Sequence, residues 1–239
     1  MKTKILRVAA LAGAGFCLAA TPPEPAPPPR VRQVGPDEFL VGDVRLDRST
    51  RSLGFPAEVN LTDRVLEYAL VTHQGKTHES LLRTAVDPKD VHVAALLLGA
   101  IASAELGDTN KTVRPPARSR VTVDIEWRSD GAQRTNRLED WMGLGTKISQ
   151  TLTNRLKRMD WIYTGSTVVQ GHFIAQEEGS IISLIRDPGA LINNPGVDRD
   201  DDDIHYADPE RAAKKGTLVT VRLRFMTETD AEKSGSPPK

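Results

Sequence analysis

Between residues 39 and 225 apolar side chains come in short runs, many alternating with polar ones, and turn residues close each run. That length and period suit β-strands, whose successive side chains point to opposite faces. FLVGDVRLD (39–47), RSLGFPAEVNL (51–61), RVLEYALVTH (64–73) and HESLLRTAV (78–86) are the first four segments of this kind. RVTVDIEW (120–127) leads to a turn signal, SDG, and QRTNRLEDW (133–141) follows it. WIYTGS gives a short strand, VVQGHFIA and SIISLIRDP a hairpin pair, and GTLVTVRLRF (216–225) a last alternating strand. Phe, Trp and Tyr supply only 5% of the chain, so its core must rest on Val, Leu, Ile and Ala.

Two segments have a helical pattern instead. Asp87 is placed to cap a helix with Pro88 at its first position and Asp90 at its third. VHVAALLLGAIASAELG (91–107) then runs to Gly107 and is apolar all round in its middle, which calls for burial on several sides. Its uninterrupted apolar stretch, Val93 to Ala102, is too short to span a bilayer. In KISQTLTNRLKRM (147–159), Ile148, Leu152, Leu156 and Met159 recur at helical spacing among basic residues. The pattern predicts an α+β fold: mostly antiparallel strands around one buried central helix, with a second amphipathic helix.

The ends differ from the middle. Lys2, Lys4 and Arg7 precede VAALAGAGFCLAA (8–20), the layout of a signal peptide, with small residues Ala19 and Ala20 at the cleavage position. Phe16 before Cys17 argues against a lipoprotein signal. The expected organisation is a signal peptide (1–20), a proline-rich linker (21–36), one domain (37–226) and a disordered tail (227–239). The product would be exported to the periplasm or cell exterior, with no membrane span after cleavage.

The chain has 32 basic and 32 acidic residues. Lys2, Lys4 and Arg7 would leave with the signal, so the mature chain would carry a net charge of −3. No overall basic field remains to recruit nucleic acid. The single cysteine, Cys17, would leave too, taking with it any disulfide or cysteine-held iron–sulfur cluster.

GKTHESLL (75–82), DPKDVHVAALLLGA (87–100), WIYTGS (161–166) and FIAQEEGSIISLIRDPGALIN (173–193) resemble the YdjY domain family of bacterial exported proteins, over roughly residues 40–225. That family carries no established reaction, so the resemblance implies an architecture more than a chemistry. Some members bear a ferredoxin-like label on account of cysteine motifs. This chain lacks those cysteines, and the label does not transfer.

Candidate site residues centre on GKTHESLL. If Gln74 and Gly75 made a two-residue hairpin turn, His73 and His78 would be diagonal neighbours on one face and Glu79 would point to the other. A divalent metal could then gather His73, His78 and His92, with a carboxylate such as Glu79 as the fourth ligand. The structural alternative has His78 bonding a loop and His92 satisfied within its helix. HExxH is not completed by HESLL, and Ser80 lies in no GxSxG elbow. Asp198, Asp200 and Asp202 match the first offsets of a calcium loop, but Asp203 and Pro209 stand where its Gly and Glu belong. Trp127, Trp141 and Trp161 bound apolar segments, as core residues do.

No cofactor motif is complete. The expected function is an exported, non-enzymatic domain that binds an unknown ligand or protein partner at the cell envelope. The alternative is a metal-dependent enzyme, a hydrolase built on His78, Glu79 and His92.

Overall fold

The computed structural model describes residues 31–104, 115–146 and 152–230. The expected signal peptide, the proline-rich stretch to residue 30, Gly107 and residues 231–239 of the tail lie outside the described residues. Strands β1 (Val31–Gln33), β2 (Glu38–Val41) and β3 (Val44–Asp47) form an opening meander, so β1 falls within the segment expected as linker. Gly42, at φ +56°, makes the two-residue turn between β2 and β3.

β3 pairs with β4 (Ser52–Val59), the first strand of a closed barrel. β5 (Tyr68–Thr72) and β6 (Ser80–Thr84) come next, joined through a 3-10 turn at Thr77–Glu79. Helix α1 (Pro88–Leu97) follows. β7 (Arg120–Ser129) and β8 (Ala132–Arg137) then form a hairpin whose turn residues, Asp130 and Gly131, both have positive φ, as a tight hairpin needs. After β9 (Met142–Gly145), β10 (Leu152–Arg155) and β11 (Trp161–Tyr163), a small hairpin of β12 (Val168–Val169) and β13 (His172–Phe173) enters α2 (Ile174–Glu178). β14 (Ser180–Ser183), β15 (Ile192–Asn193), β16 (His205–Ala207) and β17 (Leu218–Phe225) complete the described strands.

Around the barrel the order is β4, β17, β7, β11, β15, β14, β5, β6, and β6 returns to β4 through Glu58↔Arg83 and Val59↔Leu82. β17 is the longest seam, paired over seven residues with β4 on one side and β7 on the other. Its alternation explains the core: Val219, Val221, Leu223 and Phe225 are buried together with Val121, Val123 and Ile125 of β7 and Leu53, Phe55 and Val59 of β4. Trp141 and Trp161 are fully buried as well, and the Trp161 indole donates to the buried Glu139 carboxylate at 3.0 Å. β9, β10 and β16 form a separate three-stranded sheet with β9 in the middle.

The expected α+β fold with a central helix is therefore corrected to a closed eight-stranded β-barrel. Strand side chains fill its centre, and α1 packs beside β2, β3 and α2. Val91, Ala94 and Ala95 of α1 are buried, whereas Leu96 is 50% and Leu97 38% exposed. An all-apolar run calls for burial but does not set how many faces are covered, and Gly99 at φ +76° lies just past the end of this helix. Its expected start is observed, with one addition: Gln176 of α2 accepts from the Lys89 backbone N–H at 3.1 Å and donates to Asp87 at 3.0 Å.

The second expected helix is corrected too. Residues 147–151 lie outside the described residues, and Leu152–Arg155 is a strand on β9. The Leu152, Leu156 and Met159 spacing suits a helix, but pairing with β9 and a Thr153 hydroxyl bond to the Leu144 carbonyl (3.1 Å) decide the backbone state.

The hairpin at Gln74 and Gly75 does not form either, because β5 and β6 run parallel. Residues 73–79 carry the chain back along β5, a distance that seven residues at about 3.3 Å each can cover. Asn60 pins this return, its amide donating to the Thr77 and Ser80 carbonyls at 2.6 and 2.9 Å. β14 and β15 are the barrel's second parallel pair. Among the described residues no helix is long and apolar enough to cross a membrane.

Candidate functional site

The return loop of residues 73–79 carries most of the GKTHES motif and gathers several ionisable groups around it. Lys76 Nζ donates to the Tyr68 hydroxyl at 2.6 Å and lies 4.8 Å from that ring's centroid. Tyr68 in turn donates to Asp187 Oδ2 at 3.0 Å. Burial pushes the Tyr68 phenol up to about 12, with the Asp187 charge adding and Lys76 opposing, so the phenol keeps its proton near neutral pH. Asp187 is held in place from both sides: its Oδ1 accepts from Gly189 N–H at 2.7 Å, and its own N–H donates to Asn193 Oδ1 at 2.9 Å. Lys76 is raised above its ordinary value, because the Tyr68 bond and the Asp187 and Glu178 charges outweigh its burial.

A carboxylate group adjoins this chain of bonds. Burial raises the Glu67 carboxyl, and the charges of Glu79 and Asp202 raise it further, against the lowering influence of Lys76 and His78. Glu79 is mostly buried, and its Oε2 lies 3.5 Å from Nε2 of the exposed His78. The structure thus brings His78, Glu79 and Asp202 together with four residues that local reading missed: Glu67, Tyr68, Lys76 and Asp187. The only advance signal was the polar content of the motif itself.

The other expected ligands go elsewhere. His73 is exposed at the end of β5, with its backbone N–H donating to the Thr84 carbonyl at 2.9 Å. On α1, His92 Nδ1 is 2.8 Å from the Tyr163 hydroxyl and its ring packs 5.0 Å from Phe173. Burial lowers the His92 pKa and raises that of Tyr163. Among the described residues no group of three or more His, Cys, Asp or Glu side chains is arranged to hold a metal ion, so His73, His78, Glu79 and His92 do not form one. The calcium candidates also diverge. Asp198 accepts from His205 and Asn194, Asp200 pairs with Arg186 at 2.9 and 3.2 Å, and the Asp202 charge acts on Glu67.

A cleft of about 590 Å³ opens beside β10. Leu144, Leu156, Met159, Pro195 and Val197 give it an apolar lining, and Val197 is 70% exposed at its surface. Its polar lining includes Asn154, Arg155, Lys157 and Asp198. The cleft exists because β10 pairs with β9 alone, while the loop after β15 rises beside it. Burial alone would raise the Asp198 carboxyl, yet hydrogen bonds from His205 (2.6 Å) and Asn194 (2.9 Å) hold it below the usual carboxylate range. His205 is fully buried and fixes that carboxylate from beneath. Among the described residues Arg155 and Lys157 have no ion-pair partner.

In class, this is a closed and mostly antiparallel β-barrel, crossed by two parallel pairs and bearing a ligand-sized cleft at its smaller sheet. Within that class, the chain belongs to the YdjY domain family, whose model matches residues 44–224. No curated protein and no solved structure matches it.

Proposed function

We propose that this YdjY domain is an exported, non-enzymatic binding domain of the cell envelope, and that its ligand sits in the cleft beside β10. The observation that carries this reading is the cleft's make-up. Five apolar side chains line a space of about 590 Å³, with a few charged groups among them, the usual composition of a small-molecule site. Export is supported by the sequence alone, through Lys2, Lys4, Arg7 and the apolar run that follows them. The proline-rich stretch 21–30 would hold the domain away from its point of attachment or release.

Titration of the purified chain with a neutral solvatochromic dye tests the binding step. Saturable fluorescence at about one dye per chain, lost in Val197→Glu, is the expected result. Val197 is largely exposed, so this variant should fold normally. Unsaturable or unchanged fluorescence would remove the cleft from consideration.

A further inference from the structure

We infer that the cleft beside β10 takes an anionic amphiphile: an apolar tail against Leu144, Leu156 and Met159, with a carboxylate or phosphate head between Arg155 and Lys157. The inference rests on the binding-domain reading above and adds the ligand's chemistry to it.

Three observations lead there. The first is that Arg155 and Lys157 line the cleft with no ion-pair partner among the described residues, although many other basic side chains of the chain are paired. Two cations beside one apolar surface favour a ligand that is charged at one end and apolar at the other. Next, the lining's single carboxylate is already engaged. Both His205 and Asn194 bond the same Asp198 oxygen, Oδ2; the carboxylate keeps its charge, but Arg155 and Lys157 outnumber it, so the lining is net positive and sets the sign of the head group. Lastly, Val197 continues the apolar surface outward at 70% exposure, as an alkyl chain leaving a groove would require.

The other cavities lack this combination. The space lined by Thr62, Arg64 and Glu210 shares Arg155 with the cleft but mixes both signs of charge, the one near Arg32, Asp43, Asp87 and Asp90 is mainly acidic, and the one near Glu38, Arg45 and Arg222 again mixes both signs.

The test is calorimetric titration of the purified chain, below their micellar concentrations, with four probes of equal tail length: dodecanoate, dodecyl phosphate, dodecanol and dodecyltrimethylammonium. At least one anionic probe is expected to bind about tenfold or more tightly than dodecanol, and the cationic probe more weakly than either. Whichever anion binds better separates a carboxylate head from a phosphate head. The double variant Arg155→Gln, Lys157→Gln should erase the preference for the anion and keep the binding of dodecanol. Arg128→Gln, outside the cleft lining, should change nothing. Equal binding of dodecanol and the anions would overturn the inference while leaving the binding-domain reading intact. Should no alkyl probe bind, the inference falls, and the neutral-dye titration decides separately whether the binding-domain reading falls with it.

Discussion

Glu67 shows how a single side chain in this barrel is set by neighbours far along the chain. Folding raises its carboxyl above the unfolded value of 4.5, through burial first and then the Glu79 and Asp202 charges. The folded state thus favours the protonated form, a contribution present at acid pH and lost as pH rises through the folded value. At pH 7 an ionised Glu67 costs stability. Glu67→Gln should therefore raise the thermal midpoint at pH 7, and the gain should vanish at pH 4, as differential scanning calorimetry would show. An equal effect at both pH values would mean that Glu67 feels neither burial nor its neighbours. His78 and Glu79 could be picked out from the chain because they stand together in it. Tyr68 and Asp187 meet across 119 positions, and nothing local to either residue announces that contact.

At the scale of elements, the return loop depends on a close backbone approach. Gly75 lies against the end of α2, where a Cβ would sit 3.0 Å from the Glu178 carbonyl. Gly179, at φ +73°, caps α2, and a Cβ there would collide with the Thr72 hydroxyl. Gly171 has a similar φ of +84° but open space around it. Gly171→Ala should cost only the left-handed backbone penalty of about 1–2 kcal/mol. Gly179→Ala should cost about 2 kcal/mol more, since helix end and loop must also part. Denaturant midpoints of the two variants give the comparison directly, and equal costs would mean that the loop does not bear on α2. Such packing also explains the misread elements. Helical spacing at Leu152, Leu156 and Met159 is a weak preference, and a neighbouring strand overrides it. α1 was expected at the centre because its sequence is apolar all round, but a barrel with filled strands leaves no room inside for a helix.

For the molecule as a whole, β17 is the decisive strand. It comes last among the strands yet bridges β4 and β7, so the barrel closes only after nearly the whole domain is present. Val221 sits mid-ladder, opposite both Phe55 and Ile125. Val221→Pro should abolish the cooperative melt followed by far-ultraviolet circular dichroism, whereas Leu218→Pro, at the exposed start of the strand, should keep it. Survival of Val221→Pro would show that the barrel closes by some other route.

Strand content, the turn at Asp130 and Gly131, the start of α1 after Asp87 and membership of the YdjY family were all legible along the chain, because each leaves a pattern in the sequence itself; the bond that satisfies the first turn of α1 comes instead from the distant Gln176. Alternation marks which side chains turn inward. It says nothing of which strand lies beside which. The parallel course of β5 and β6, the closure of β6 onto β4 and the meeting of Lys76, Tyr68 and Asp187 rest on pairings between distant segments. Those pairings are settled only when the whole chain satisfies its backbone hydrogen bonds and fills one core at the same time.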